Sequence, residues 1–388
     1  MSESRPRLLG VLIGDIEREA SARVKYGLLF EALGRRFPLA GVHDATLRSL
    51  PRLVNAMQTF HPDLRRWKER FYKNVPAFRA RSRYVAAHLA QMSGQCDIIF
   101  QVGVLFDAQW GAPMIPSVIY TDYTATLSAR RPELGRSPFN PRQQQQWIAL
   151  EGQAFRRAGH IFTRGQFVRE SVIADYGIPP ERVTAVGGGV NFAILPQAVP
   201  RQPDNVPTAL FIGKDFYRKG ADVLLKAFAQ VHAETPNIRL SMMTAGPIPA
   251  DLPLAGVEMI LPTWDRNSIE ELYLRADLFV LPSRLETWGD VLLEAMAFGL
   301  PCIGVHGEAM DEIIEDGRTG LNVPPDDETA LGDALRRLLH DAPLRRKLGR
   351  EARGRVEMYY TWNCVVDRMV PVIKRLIQKP LDLERRHV

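Results

Sequence analysis

The chain has 388 residues but only three cysteines, Cys96, Cys302 and Cys364. Their odd number and wide spacing argue against a disulfide framework and a cysteine-based zinc site, and they point to a reducing compartment. Long apolar runs are also missing. No stretch approaches the ~20 apolar residues of a spanning helix. The run Leu8–Ile13, behind Arg5 and Arg7, is too short for a secretory leader and reads as a first β-strand, so the expected location is cytoplasmic. Zinc-finger spacing and an RNP-like aromatic strand are absent, which sets nucleic acid aside. No Gly-x-Gly-x-x-Gly follows the first strand, which argues against a dinucleotide-dependent dehydrogenase. His160 and His306 stand isolated and read as structural.

Hydrophobic residues at 46% and charged residues at 24% are ordinary for a globular protein. The length suits two domains rather than one core. A net charge of +6 favours anionic partners, and it is concentrated locally. The segment His61–Arg83 interleaves Arg65, Arg66, Lys68, Arg70, Lys73, Arg79, Arg81 and Arg83 with Trp67, Phe71, Tyr72 and Phe78. Two readings stand side by side. One is a solvated helix whose aromatic residues pack inward. The other is a peripheral membrane contact or an acceptor-binding element for an anionic lipid or polyphosphate.

Apolar strands alternate with helical stretches through the first half: Leu8–Ile13, a helix near Ala22–Leu33, Asp97–Val102, Ser117–Tyr120, a helix at Arg142–Ala158, His160–Thr163, a helix at Gln166–Tyr176, and Val183–Val186. Such alternation predicts a doubly wound parallel sheet. Four prolines among polar residues in Leu195–Pro207 mark an interdomain linker. The alternation then restarts with Ala209–Gly213, a helix at Ala221–Glu234, Arg239–Met243, Val257–Leu261, a helix at Ser268–Leu274, Leu278–Leu281 and a helix at Glu328–Leu339. The expected fold class is α/β, with two Rossmann-like domains facing across a cleft. The expected divisions are 1–200, 201–365 and 366–388.

The most informative segment is Leu281–Ile303. A strand runs into a loop carrying Glu286, a turn at Trp288-Gly289 follows, and a helix beginning near Asp290 carries Glu294. The two carboxylates flank a helix N-terminus at the carboxyl end of a parallel strand, where open α/β sheets bind ligands and backbone N–H groups attract phosphate. Eight helical steps span ~12 Å, about the reach of a diphosphate with a sugar on each side. Glu286 is placed for hydroxyls of a transferred sugar and Glu294 for a ribose diol. Alternatively, Glu286 caps a turn and Glu294 is a solvated helix residue. Upstream, Gly213 permits a tight turn, and Lys214, Arg218 and Lys219 bring cations beside another helix start.

Pro282-Ser283, Glu286-Thr287-Trp288-Gly289, Glu294-Ala295-Met296-Ala297 and Gly299-Leu300-Pro301 together resemble the signature of the family 4 (group 1) retaining glycosyltransferases of the GT-B fold. Phe211–Gly220 resembles that family's phosphate loop, and Glu312-Ile313-Ile314 with Gly317–Gly320 its closing helix and turn. The resemblance is dense over Leu210–Pro324 and thin before it. It implies that the first domain binds acceptor, that the second binds a nucleotide-sugar, and that a last helix, for which Trp362–Leu376 serves, returns to the first domain. It further implies transfer from a UDP- or GDP-hexose to an acceptor hydroxyl with retention, in polysaccharide or glycolipid assembly.

By this resemblance Lys219 is the phosphate lysine, and Lys214 stands where the family has arginine. Glu286, Lys219 and Asp122 are the candidate catalytic residues. Thr287 and the amides of Trp288 and Gly289 line the donor, with the Trp288 ring packing. Gly14 in the loop after the first strand is a backbone contact to the diphosphate. Asp122 occupies the position of a family histidine; it accepts a sugar hydroxyl, helps take the acceptor's proton, or only caps the next helix. Gly187-Gly188-Gly189-Val190-Asn191 resembles the family's turn before the hinge and serves chain geometry. No Asp-x-Asp triplet occurs, so metal-independent transfer without a cofactor is expected. A nucleotide-sugar epimerase and a non-catalytic, membrane-peripheral nucleotide-binding subunit are the alternatives.

Overall fold

The computed structural model describes residues 6–92, 94–111, 115–132, 134, 137–197 and 206–378. The chain divides into two compact units, 1–187 with 362–388, and 188–361.

The first unit runs β1 (Leu8–Leu12), a composite helix, then β2 (Leu39–Asp44). In the composite helix, α1 (Ala20–Ala22) passes through a π turn at Arg23–Gly27 into α2 (Leu28–Gly34). Then come α3 (Ser49–Gln58), α4 (Leu64–Tyr72), α5 (Val75–Gln91), β3 (Ile98–Val102), β4 (Ser117–Thr121), α6 (Ala125–Arg130), α7 (Pro141–Arg157), β5 (His160–Thr163), α8 (Gln166–Tyr176) and β6 (Val183–Ala185). All pairings are parallel, in the order β2-β1-β3-β4-β5-β6. Strands β1, β3, β4 and β5 are buried along their whole length, as helices on both faces of a parallel sheet require.

The second unit runs β7 (Thr208–Asp215), α9 (Ala221–Glu234), β8 (Arg239–Ala245), β9 (Val257–Ile260), α10 (Arg266–Arg275), β10 (Leu278–Val280), α11 (Asp290–Ala297), β11 (Cys302–Val305), α12 (Glu308–Ile313), β12 (Gly320–Val323), α13 (Glu328–His340) and α14 (Ala342–Tyr359). Its sheet is also parallel, in the order β12-β11-β10-β7-β8-β9.

The last helix, α15 (Trp362–Gln378), belongs to the first unit. Trp362, Val365, Val366, Met369 and Ile373 enter a core with Leu8, Phe30, Phe100 and Tyr120. Arg368 donates to Val186 O, and Arg36 pairs with Asp367 at 2.8 Å.

The division after Gly187 comes earlier in the chain than the 200/201 boundary read from the proline-rich stretch. Gly187 O still accepts from Tyr120 OH at 2.9 Å, whereas Val190 N already donates to Tyr360 O of the second unit at 2.7 Å. The return at 361/362 likewise precedes 365/366 because Trp362 is core. Residues 198–205 of the expected linker, and 379–388 of the final segment, lie outside the described residues. Among the described residues no helix is long and apolar enough to cross a membrane.

The segment His61–Arg83 forms α4 and α5 rather than one helix. Trp67, Phe71 and Tyr72 are half-buried, and Phe78 and Arg81 are buried. Arg81 donates to Tyr72 O at 2.7 Å, tying the end of α4 to α5.

Candidate active site

Strand β7 lies between β8, reached through α9, and β10, which comes later in the chain. That makes the carboxyl ends of β7 and β10 a topological switch point, where parallel sheets leave a crevice for ligands. The loop 216–220 leaves β7 here, and the loop 281–289 leaves β10.

The two loops are held in contact by backbone. Gly220 has φ +70°, and a Cβ there would stand 1.9 Å from Pro282 O, so only glycine permits the approach. Arg218 O accepts from Arg284 N at 2.9 Å and from Ser283 Oγ at 3.2 Å. The Arg218 guanidinium donates to Leu285 O at 3.0 Å and pairs with Asp215 at 3.3 Å. Arg284 is itself held by Asp222 at 2.8 Å and Asp326 at 2.7 Å.

This framework brings Lys219 onto Glu286 as an ion pair whose side chains are only 13% and 10% exposed. Glu286 N donates to Glu308 Oε2 at 3.2 Å. Glu308 begins α12 with the unusual φ of +50°, directly after Gly307, so the loop after β11 also contributes. Helix α11 starts at Gly289, whose φ of 85° and lack of Cβ let the chain turn beside Glu286. Neither α11 nor α9 receives a side-chain N-cap among the described residues. Two helix starts, with backbone N–H groups suited to an anion, therefore adjoin Arg218 and Lys219.

Glu294 lies on α11 and is buried. Its Oε1 accepts from Arg266 at 3.1 Å, and its Oε2 accepts from Tyr273 OH at 3.2 Å. Burial raises its carboxyl above the ordinary range, partly countered by the Arg266 charge. Each oxygen retains lone-pair capacity for a ligand hydroxyl. Glu294 is thus not the solvated helix residue that was one alternative.

Lys214 places its ammonium 3.4 Å from the centroid of the Trp264 ring, a cation–π contact on an exposed indole. Thr287 is half-buried. Trp288 is buried and packs edge-on to Tyr360 at 5.8 Å. Gly213 lies within β7, three residues before the 216–220 loop; a Cβ there would crowd Phe211 and Lys219.

Gly14 and Asp122 belong to the first unit. Gly14, with φ +105°, donates its N–H to Asp44 Oδ1 at 2.9 Å and to Thr46 Oγ1 at 3.2 Å. Asp122 follows β4 and faces Lys25, on the π turn, at 3.7 Å. Burial opposes its ionisation, but Lys25 and Arg164 outweigh burial and hold its carboxyl below the ordinary range. The capping alternative is removed, because the cap of α6 is Thr124, whose hydroxyl accepts from Leu127 N at 3.1 Å. His306 is exposed and meets Asp311 at 3.0 Å, and His160 is buried against Thr184 at 2.9 Å. In the glycine triplet only Gly187 takes a positive φ, at 81°.

The family model described as "Glycosyl transferases group 1" matches residues 197–355. A D-inositol 3-phosphate glycosyltransferase of Thermobispora bispora is 26% identical over 304 residues, covering 72% of this chain and 69% of its own. A sulfoquinovosyl transferase of Arabidopsis thaliana is 31% identical over 169 residues, 42% of this chain and 32% of its own. Sucrose-phosphate synthase from Thermosynechococcus elongatus superposes with a TM-score of 0.67 over 96% of this chain and 99% of its own, at 19% identity. Anabaena HepE, in complex with UDP and glucose, does so at 0.62 over 96% and 100%, at 15% identity.

This chain carries a group 1 glycosyltransferase domain on the GT-B fold.

Lys219, Glu286, Glu294 and their partners all fall inside the glycosyltransferase match, whereas Gly14 and Asp122 fall outside it. Sequence reading missed Arg266, Tyr273, Glu308, Trp264 and Lys25. Arg266 and Tyr273 sit on α10, 28 and 21 positions before Glu294, and nothing in their spacing announces the contact. Lys25 carried a usable signal, as a lysine on the apolar side of the first helical stretch.

Proposed function

We propose that this glycosyltransferase moves a hexose from a UDP- or GDP-sugar to an acceptor hydroxyl with retention and without a metal ion. The observation that carries this reading is the cluster of Arg218, Lys219 and two uncapped helix starts at the β7/β10 switch point, closed on one side by Glu286. Cations and oriented N–H groups stabilise the charge that develops on a departing diphosphate.

Without donor, the Lys219 ammonium is neutralised by Glu286. A bound diphosphate competes for the ammonium and releases the carboxylate to accept hydroxyls of the transferred sugar. Glu286 then orients the sugar, and the departing phosphate helps deprotonate the acceptor on the same face. Arg266 and Tyr273 hold Glu294 towards the ribose diol, and the exposed Trp264 ring offers a stacking surface for the base. Asp122, kept ionised by Lys25, serves an acceptor hydroxyl. A glycolipid or polysaccharide acceptor fits the family resemblance, and the inositol phosphate relatives add phosphorylated polyols to the acceptors worth testing.

A thermal-shift panel of UDP-, GDP- and ADP-sugars in chelator tests the reading. Stabilisation by one nucleotide is expected. Transfer to acceptor with an unchanged anomeric configuration by NMR completes the test. Absence of any nucleotide-dependent shift overturns the donor site. Binding with neither transfer nor donor hydrolysis favours a non-catalytic subunit, and sugar interconversion without acceptor favours an epimerase.

A further inference from the structure

Helix α3 is built inside out. Its inner side is polar. Asn55 is buried, donating to Phe71 O at 2.9 Å and accepting from Asn74 at 2.9 Å. Buried Thr59 donates to Asn55 O at 2.7 Å, and Trp67 Nε1 donates to Ala56 O at 3.1 Å.

Its outer side is apolar. Leu50, Leu53, Val54 and Met57 are 68%, 56%, 36% and 61% exposed. They recur at the i, i+3, i+4, i+7 spacing that forms one helical stripe. Phe60 and Leu64, 64% and 73% exposed, extend the patch past the helix end. Six large apolar side chains in fifteen consecutive positions, all turned to water, are far from the scattered single exposures of an ordinary surface. Water alone gives no reason to bury an asparagine and present leucines. Polar ties fix the inner side so that the apolar side is presented.

The neighbouring charge identifies what covers it. Residues 48–73 hold seven basic side chains (Arg48, Arg52, Arg65, Arg66, Lys68, Arg70, Lys73) and two acidic ones, Asp63 and Glu69. Asp63 is engaged as the cap of α4, and Glu69 lies 3.6 Å from Arg65. Trp67 meets Phe60 edge-on at 5.7 Å, bracing the aromatic end of the patch. A contiguous apolar stripe bordered by cations matches the boundary between acyl chains and anionic headgroups.

We infer that α3, with Phe60, Leu64 and the basic residues of α4, docks this protein on an anionic lipid surface. The insertion is made by α3, and Trp67 of α4 supports it through its hydrogen bond to Ala56 O and its contact with Phe60.

The test is flotation of the full chain with phosphatidylcholine vesicles, with and without phosphatidylglycerol. The protein is expected to float with the anionic vesicles and to be released by salt. L53S/M57S/F60S is expected to lower the bound fraction at least about tenfold with an unchanged circular-dichroism spectrum. R66E/K68E is expected to abolish the preference for phosphatidylglycerol. Failure of the parent chain to bind anionic vesicles, or equal binding by the triple variant, overturns the inference. So does self-association that the triple variant abolishes in the absence of vesicle binding, which assigns the patch to a second copy of the chain.

Discussion

Lys219 and Glu286 neutralise one another although 67 positions separate them in the chain. Truncating either strands the other charge where the side chains are only 13% and 10% exposed, a loss of order 3 kcal/mol. Lys219→Ala and Glu286→Ala are each expected to cut transfer more than about tenfold and to lower the melting temperature. The pair Lys219→Met with Glu286→Gln removes both charges together. It is expected to regain most of the lost stability and none of the activity. Recovery of activity in that double variant would reduce the pair to a structural brace, and wild-type transfer in either single variant would remove both from the site. Both residues were legible in the sequence as site candidates, because each sits in a loop between a strand and a helix start. Their direct contact was not legible, since it depends on which strands neighbour one another. Glu294 shows the same limit: its place on α11 was readable, but its partners Arg266 and Tyr273 come from α10.

At the scale of elements, the site depends on α9 starting hard against the loop after β10. Gly220→Ala adds a Cβ 1.9 Å from Pro282 O at a φ of +70°. It is expected to destabilise the protein by at least about 2 kcal/mol and to weaken nucleotide binding together with it. A urea midpoint within error of the parent would show that the two loops separate freely. Elements with a plain period were readable: β5, α8 and α9 coincide with their sequence readings. What escaped lacked a period. Strand β2, at the sheet edge, is nowhere fully buried and carries Gly41, His43 and Asp44. Helix α14 buries only Leu348, Gly349, Ala352 and Val356 among many charges, about one apolar contact per turn. Helix α3 is the exception: Leu50, Leu53, Val54 and Met57 carry a helical period that the sequence reading passed over, and only their outward direction needed the structure.

For the whole molecule, the second unit is continuous in sequence and the first is not. The first unit is completed only when α15 returns, and Trp362, 4% exposed, sits where the chain re-enters its core beside Tyr120 at a centroid distance of 6.3 Å. A residue at that crossing stabilises one sheet and not the other. Trp362→Ala is expected to cost about 3–5 kcal/mol. Trp362→Phe is expected to cost much less, because the buried indole N–H has no hydrogen-bond partner among the described residues. Hydrogen exchange separates this from a general loss of stability. In Trp362→Ala, amides of β1, β3 and β4 should exchange faster while those of β7 and β8 keep their parent rates. Equal acceleration in both sheets would mean that the two units unfold as one, and protected β1 amides would mean that α15 is dispensable to the first core.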